Sequence, residues 1–163
     1  MELNLETLEE ALGILGHLIL DRGQRYEIVV IGGGSLLLSG EILRTTNDLV
    51  LIALIDEDEL ISEEPLPIPL SKDIHDVGIA LNLGQHWINT GPTNLFKKGL
   101  PEGFQTRLQT SQYGGLIVHV AGRFDQICFK LYAVAEQGQK NGLVQMKVTL
   151  SLPQSGKESV TFI

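Results

Sequence analysis

The residues with the clearest chemical potential lie between Val30 and Ile52. An apolar run ends in Gly32-Gly33-Gly34-Ser35, a short apolar stretch follows, and Asp48 opens the next apolar run. Glycines at such a bend let backbone N–H groups approach a phosphate, and a helix starting there favours an anion. Gly33, Gly34 and Ser35 are therefore candidate phosphate contacts, and Arg44 is a candidate cation for the same ligand, the plain alternative being a solvated arginine. Asp48 supplies carboxylate oxygens at the start of a strand, where it can equally accept backbone hydrogen bonds and need no ligand. His75 with Asp73 and Asp76 has the residue types of a metal site, but on one exposed helix face the three read as surface charge. His119, in a strand, reads as packed or hydrogen-bonded rather than catalytic. Cys128, at helical spacing from Phe124 and Leu131, reads as core.

Elements that position these residues follow from hydrophobic periodicity. Leu5, Leu8, Leu12, Leu15 and Ile19 recur at steps of three and four, predicting an amphipathic helix over 4–21 with Asn4 as N-cap. Residues 26–31 form a β-branched run too apolar for a surface strand. The glycine bend leads into a short helix over 36–40, and residues 48–55 predict a second central strand. The acidic, proline-containing stretch 56–70 reads as a loop or lid, its charges a solvated surface. Ser71 is a plausible cap for a helix over 72–83, and Trp87 anchors the connection that ends at Gly91-Pro92. Strand-like residues 106–112, the turn Tyr113-Gly114-Gly115 and the strand 116–120 predict a hairpin. A helix over 123–137 buries Phe124, Ile127, Cys128, Leu131 and Ala135.

The remaining segment, 139–163, shows alternation only at Val144, Met146, Val148 and Leu150, and reads as an edge strand with a loose tail or as disorder. The organisation expected is one α/β (α+β) domain over 1–138, a mixed sheet flanked by helices, followed by an atypical tail over 139–163. A length of 163 residues and an apolar fraction of 43% fit such a domain. No apolar stretch reaches the roughly 18 residues of a membrane span, and the N-terminus is acidic, which predicts a cytoplasmic protein without membrane attachment. One cysteine excludes an internal disulfide. The net charge of −8 argues against general DNA binding. Residues 1–81 carry 16 acids and 4 bases, whereas residues 82–163 carry 4 acids and 8 bases, so a phosphate-facing surface is expected in the second half.

Taken with this order of elements, Gly33-Gly34-Ser35 and Arg44-Thr45-Thr46-Asn47-Asp48 resemble the signature of the DNA polymerase beta-like nucleotidyltransferase superfamily. Within it, the chain is similar to small bacterial proteins related to abortive-infection toxin nucleotidyltransferases. Residues 99–104, the strand 115–120 and Phe129-Lys130-Leu131-Tyr132-Ala133 add to the likeness, which covers residues 25–138. The resemblance implies a minimal nucleotidyltransferase fold. It also implies a nucleoside triphosphate held with Mg2+, by Gly33, Gly34, Ser35, Arg44, Thr46 and Lys130 for the nucleotide and by Asp48 as catalytic metal ligand. A protein or RNA acceptor, or a partner protein in a toxin–antitoxin or phage-defence system, is implied with it.

Metal ions clamp the attacking and leaving oxygens of such a transfer, and paired carboxylates at i and i+2 of a strand hold them from one face. The chain has Asp48, but Val50 stands where the second carboxylate is expected. No later strand offers an obvious third, because His119 occupies the suitable one and Asp125 lies beyond its end. Two functions follow: a nucleotide-binding protein impaired in transfer, or a non-catalytic interaction protein. The departure of residues 139–163 from the family pattern is expected if the tail is a truncated or frame-shifted remnant.

Overall fold

Asn4 caps the first helix, α1 (Leu5–Asp21), its side chain accepting from the Thr7 N–H at 2.8 Å. In the computed structural model, which describes residues 2–90, 94–140, 146–152 and 156–162, α1 lays Leu8, Leu12, Leu15 and Ile19 against a mixed sheet. The strands are β1 (Tyr26–Ile31), β2 (Leu49–Asp56), β3 (Glu59–Ser62), β4 (Ile88–Thr90), β5 (Gln109–Tyr113) and β6 (Leu116–Val120). They run in the order β3-β2-β1-β6-β5, with β4 joining the edge of β2. β1 is antiparallel to β2, with Ile31 opposite Val50, and parallel to β6, with Val30 opposite Val120. The architecture is α/β with helices flanking a mixed sheet, as the sequence predicts.

Why β1 and β2 read as unbroken apolar runs is visible in the layers. Ile28, Val30, Leu49 and Leu51 face a core shared with α1 and with α3 (Ile68–Ala80). Val29, Ile31, Ile52 and Ala121 face the opposite core, which includes Phe104 and Phe129. A strand buried on both faces loses the alternation that marks a half-exposed one. Trp87 is buried and its Nε1–H donates to the Ile74 carbonyl at 2.8 Å, so it is the anchor expected.

Several boundaries differ from the sequence reading. The glycines do not precede the short helix but form its first turn, since α2 spans Gly32–Leu38. The stretch 56–70 contains β3, folded back on β2 through Glu57 and Asp58, both in the left-handed region at φ 48° and 66°. Helix α3 begins at Ile68, with Pro67 as N-cap, so Ser71 lies inside it. Asp73 is buried with the Arg22 guanidinium 2.9 Å from its Oδ1, which removes it from the exposed face expected for it. Residues 104–107 form a 3-10 turn, leaving β5 to start at Gln109, and the hairpin with β6 is as predicted.

Helix α4 is Asn94–Lys98, and α5 runs Arg123–Lys140. Phe124, Cys128 and Ala135 of α5 are buried, whereas Ile127 is 37% exposed, contrary to its expected core position. The tail forms an antiparallel pair rather than a lone edge strand: β7 (Met146–Leu152) and β8 (Gly156–Phe162), with Met146 opposite Phe162. Gly91, Pro92 and Val144 lie outside the described residues. No described helix is long and apolar enough to cross a membrane.

Candidate functional site

The glycine bend is tight because two segments cross there. Gly32 sits in the left-handed region at φ 83°, where a side chain would be strained. A Cβ on Gly33 would lie 2.7 Å from Thr46 Oγ1, and one on Gly34 would lie 2.6 Å from the Asp48 carbonyl oxygen and 2.9 Å from Leu49 Cδ1. Glycine at 33 and 34 thus lets the first turn of α2 press against the entry to β2.

Ser35 is fully buried, and its Oγ lies 2.7 Å from the Gly32 carbonyl and 3.1 Å from Gln126 Oε1. The Gly32 N–H donates to the same Gln126 oxygen at 3.0 Å, while Gln126 Nε2 donates to the Ala121 carbonyl at 3.0 Å. The glutamine of α5 therefore bridges the bend to the end of β6.

On the solvent side of this bridge lies a cavity of about 680 Å³ between α2 and α5. Ile31, Gly32 and Gly33 line it at the bend; Leu36, Ile42, Leu95, Ile127 and Phe129 supply apolar wall. Among the described residues, Arg44, Arg123 and Lys130 bring three cations to it, against a single carboxylate, Glu41. A volume of several hundred Å³ with apolar walls and a few convergent polar groups is what a small organic ligand requires. Cations on such a wall complement an anionic ligand.

Of the residues singled out in the sequence, Gly33, Arg44 and Lys130 meet at this cavity, while Gly34, Ser35, Thr46 and Asp48 do not line it. Arg123 and Gln126 escaped notice. The signal was present: Arg123, Gln126 and Lys130 recur at helical spacing and form a polar stripe on the face of α5 that also carries Ile127.

Asp48 stands at the mouth of β2, half-buried, its carboxylate accepting from Asn89 Nδ2 on β4. Thr46 contributes at long range there, its hydroxyl 3.5 Å from the Asp48 carbonyl. Val50 follows on the same face, and its Cγ2 lies 3.6 Å from where a Cβ on Gly32 would stand. The residue that approaches the glycine bend from β2 is thus the apolar Val50.

Asp125 and His119 are engaged, whereas the buried Glu63 Oε2 has no hydrogen-bond partner. Asp125 is buried in a two-point pair with Arg107, Nε donating to Oδ2 at 2.9 Å and Nη2 to Oδ1 at 2.7 Å. His119 lies between Glu27 and Thr110, with Nε2 2.9 Å from the Glu27 carboxylate and Nδ1 2.8 Å from the Thr110 hydroxyl. It is hydrogen-bonded within the sheet, as its strand position suggests. Glu63 is 1% exposed, and burial pushes its carboxyl above the usual carboxylate range, the neighbouring Glu64 adding to the effect and Lys97 opposing it. Among the described residues no group of three His, Cys, Asp or Glu side chains can hold a metal ion. One aspartate with an amide partner does not fit a paired-metal centre, for which carboxylates must clamp both ions.

Fold and cavity together define an α/β domain with a cationic, apolar-walled pocket beside a strand–glycine–helix junction. Residues 6–141 match the model of the family described as nucleotidyltransferase of unknown function (DUF6036), and the chain belongs to that family. No curated protein matches the chain, and no solved structure does.

Proposed function

We propose that this chain binds a nucleotide in the α2–α5 cavity and is impaired in, or without, nucleotidyl transfer. The observation that carries the reading is the meeting of Gly32 and Gly33 with Arg44, Arg123 and Lys130 around one apolar-walled space. Phosphates suit the cationic side, and a base suits the wall that includes Leu36, Ile42 and Phe129. Membership of a nucleotidyltransferase family makes a nucleoside triphosphate the first ligand to test. The order β1, glycine turn, α2 and Asp48 is the support for a place beside the DNA polymerase beta-like enzymes, and by extension for a role in toxin–antitoxin or phage-defence systems.

Impairment follows from Val50, which offers no oxygen beside Asp48. The test is transfer of labelled nucleotide to protein or RNA in Mg2+, comparing wild type with Val50→Asp. Wild-type signal at background, with a gain in the variant, is the expected result. Robust wild-type transfer abolished by Asp48→Asn would contradict it.

A second reading, a non-catalytic partner-binding protein, is favoured by Gln126 occupying the Gly32 N–H that would otherwise face a ligand. Thermal melting with ATP, GTP, CTP and UTP separates the two, since a ligand bound only by the folded state raises the melting temperature. A rise with any of them supports the first reading, and no rise with all four supports the second.

A further inference from the structure

Arg44, Arg123 and Lys130 share one more property beyond facing the same cavity. Among the described residues none of the three is held in an ion pair or hydrogen bond, whereas Arg22 and Arg107 are paired with the buried Asp73 and Asp125. Cations left without a counter-charge around a concave apolar space are free to meet the charge of a ligand. The opposite holds for the acids. Asp48 accepts from Asn89, Asp125 is locked by Arg107, and Glu63 is buried away from water; none of these lines the cavity. Glu41 is the single carboxylate among the cavity residues described.

A Mg2+ ion carrying phosphates needs oxygen ligands at about 2 Å in near-octahedral array, usually one or two carboxylates among them. Such a set is missing from the described residues of the cavity wall, and side-chain cations stand there instead. We propose that the cavity takes its nucleotide as the metal-free anion, with Arg44, Arg123 and Lys130 supplying the counter-charge that a divalent ion supplies in two-metal transfer enzymes. The proposal rests on the nucleotide-binding reading above and specifies the ionic form of the ligand. The guanidinium groups grip phosphate oxygens in planar pairs of hydrogen bonds, and the ammonium group adds a point charge. Neither role needs a vacant coordination position.

Calorimetric titration of the full chain, stripped of metal, with ATP, GTP, CTP and UTP tests this, each in excess Mg2+ and in excess EDTA. Binding of at least one nucleotide is expected in EDTA, and weaker apparent binding in Mg2+, because excess Mg2+ withdraws nucleotide from the metal-free form. Arg123→Ala and Lys130→Ala are each expected to weaken binding in EDTA by about tenfold without moving the melting temperature. Binding as strong in Mg2+ as in EDTA, or stronger, would overturn the inference while leaving the nucleotide site standing. Unchanged affinity in both cation variants would also overturn it, and no binding in either buffer would remove the nucleotide reading itself.

Discussion

The two ends of the strand–glycine–helix junction are built on opposite principles. At the α2–α5 cavity three cations are left without partners among the described residues; at the mouth of β2 the single aspartate is already bonded to Asn89, and the next residue on its face is valine. One end is arranged to receive charge and the other has its charge satisfied internally. The cavity and the aspartate are thus physically separable, because each depends on different elements: α5 and the 41–44 segment for the first, β2 and β4 for the second.

That contrast can be broken by mutation. The largest expected effect is from Arg107→Ala, which leaves the Asp125 carboxylate buried and unpaired and should cost about 3 to 5 kcal/mol of stability by denaturant titration. An unchanged midpoint would mean that Asp125 is free to serve elsewhere. Next comes Gly34→Ala, whose Cβ would meet the Asp48 carbonyl oxygen at 2.6 Å; about 2 to 3 kcal/mol of destabilisation is expected. Gly33→Ala meets only the Thr46 side chain, at 2.7 Å, and should lose less, with Thr46→Ala in the same chain restoring most of the loss. Equal losses at 33 and 34 would count against backbone approach as the reason for these glycines.

The smallest effect concerns Glu63. Its folded-state pKa is raised by burial, so the native chain favours the protonated form; that contribution is full below the ordinary carboxylate pKa and is lost as pH rises through the raised value. Glu63→Gln should therefore raise stability at neutral pH by about 1 kcal/mol, and the gain should shrink as the pH is lowered into the carboxylate range. A gain independent of pH would exclude burial of the charge as its cause.

How much of this was legible depended on whether a local signal and its tertiary use agreed. Helix α1 and the hairpin β5–β6 are legible because leucine spacing, the Asn4 cap and the Gly114-Gly115 turn all point one way. Strand β3 was hidden because its residues Glu59, Leu60, Ile61 and Ser62 sit in an acidic stretch and form a short strand at the edge of the sheet. Pro67 and Pro69 disguised the start of α3, although proline is accepted in a first helical turn. In the tail, Pro153 and Ser155 fall between β7 and β8, but Val160 and Phe162 are the apolar residues of β8, too few to mark it as a strand. Gly33, Arg44 and Lys130 are singled out in the sequence and line one cavity, whereas Arg123 and Gln126 join them only through the packing of α5 beside the Gly32 bend.

Amide hydrogen exchange with saturating nucleotide tests the central claim most directly. Slowed exchange at residues 32–36 and 123–133, with residues 48–50 and 88–90 unaffected, is the predicted pattern. Slowing confined to 48–50 and 88–90 would place the ligand at the aspartate instead and contradict the account.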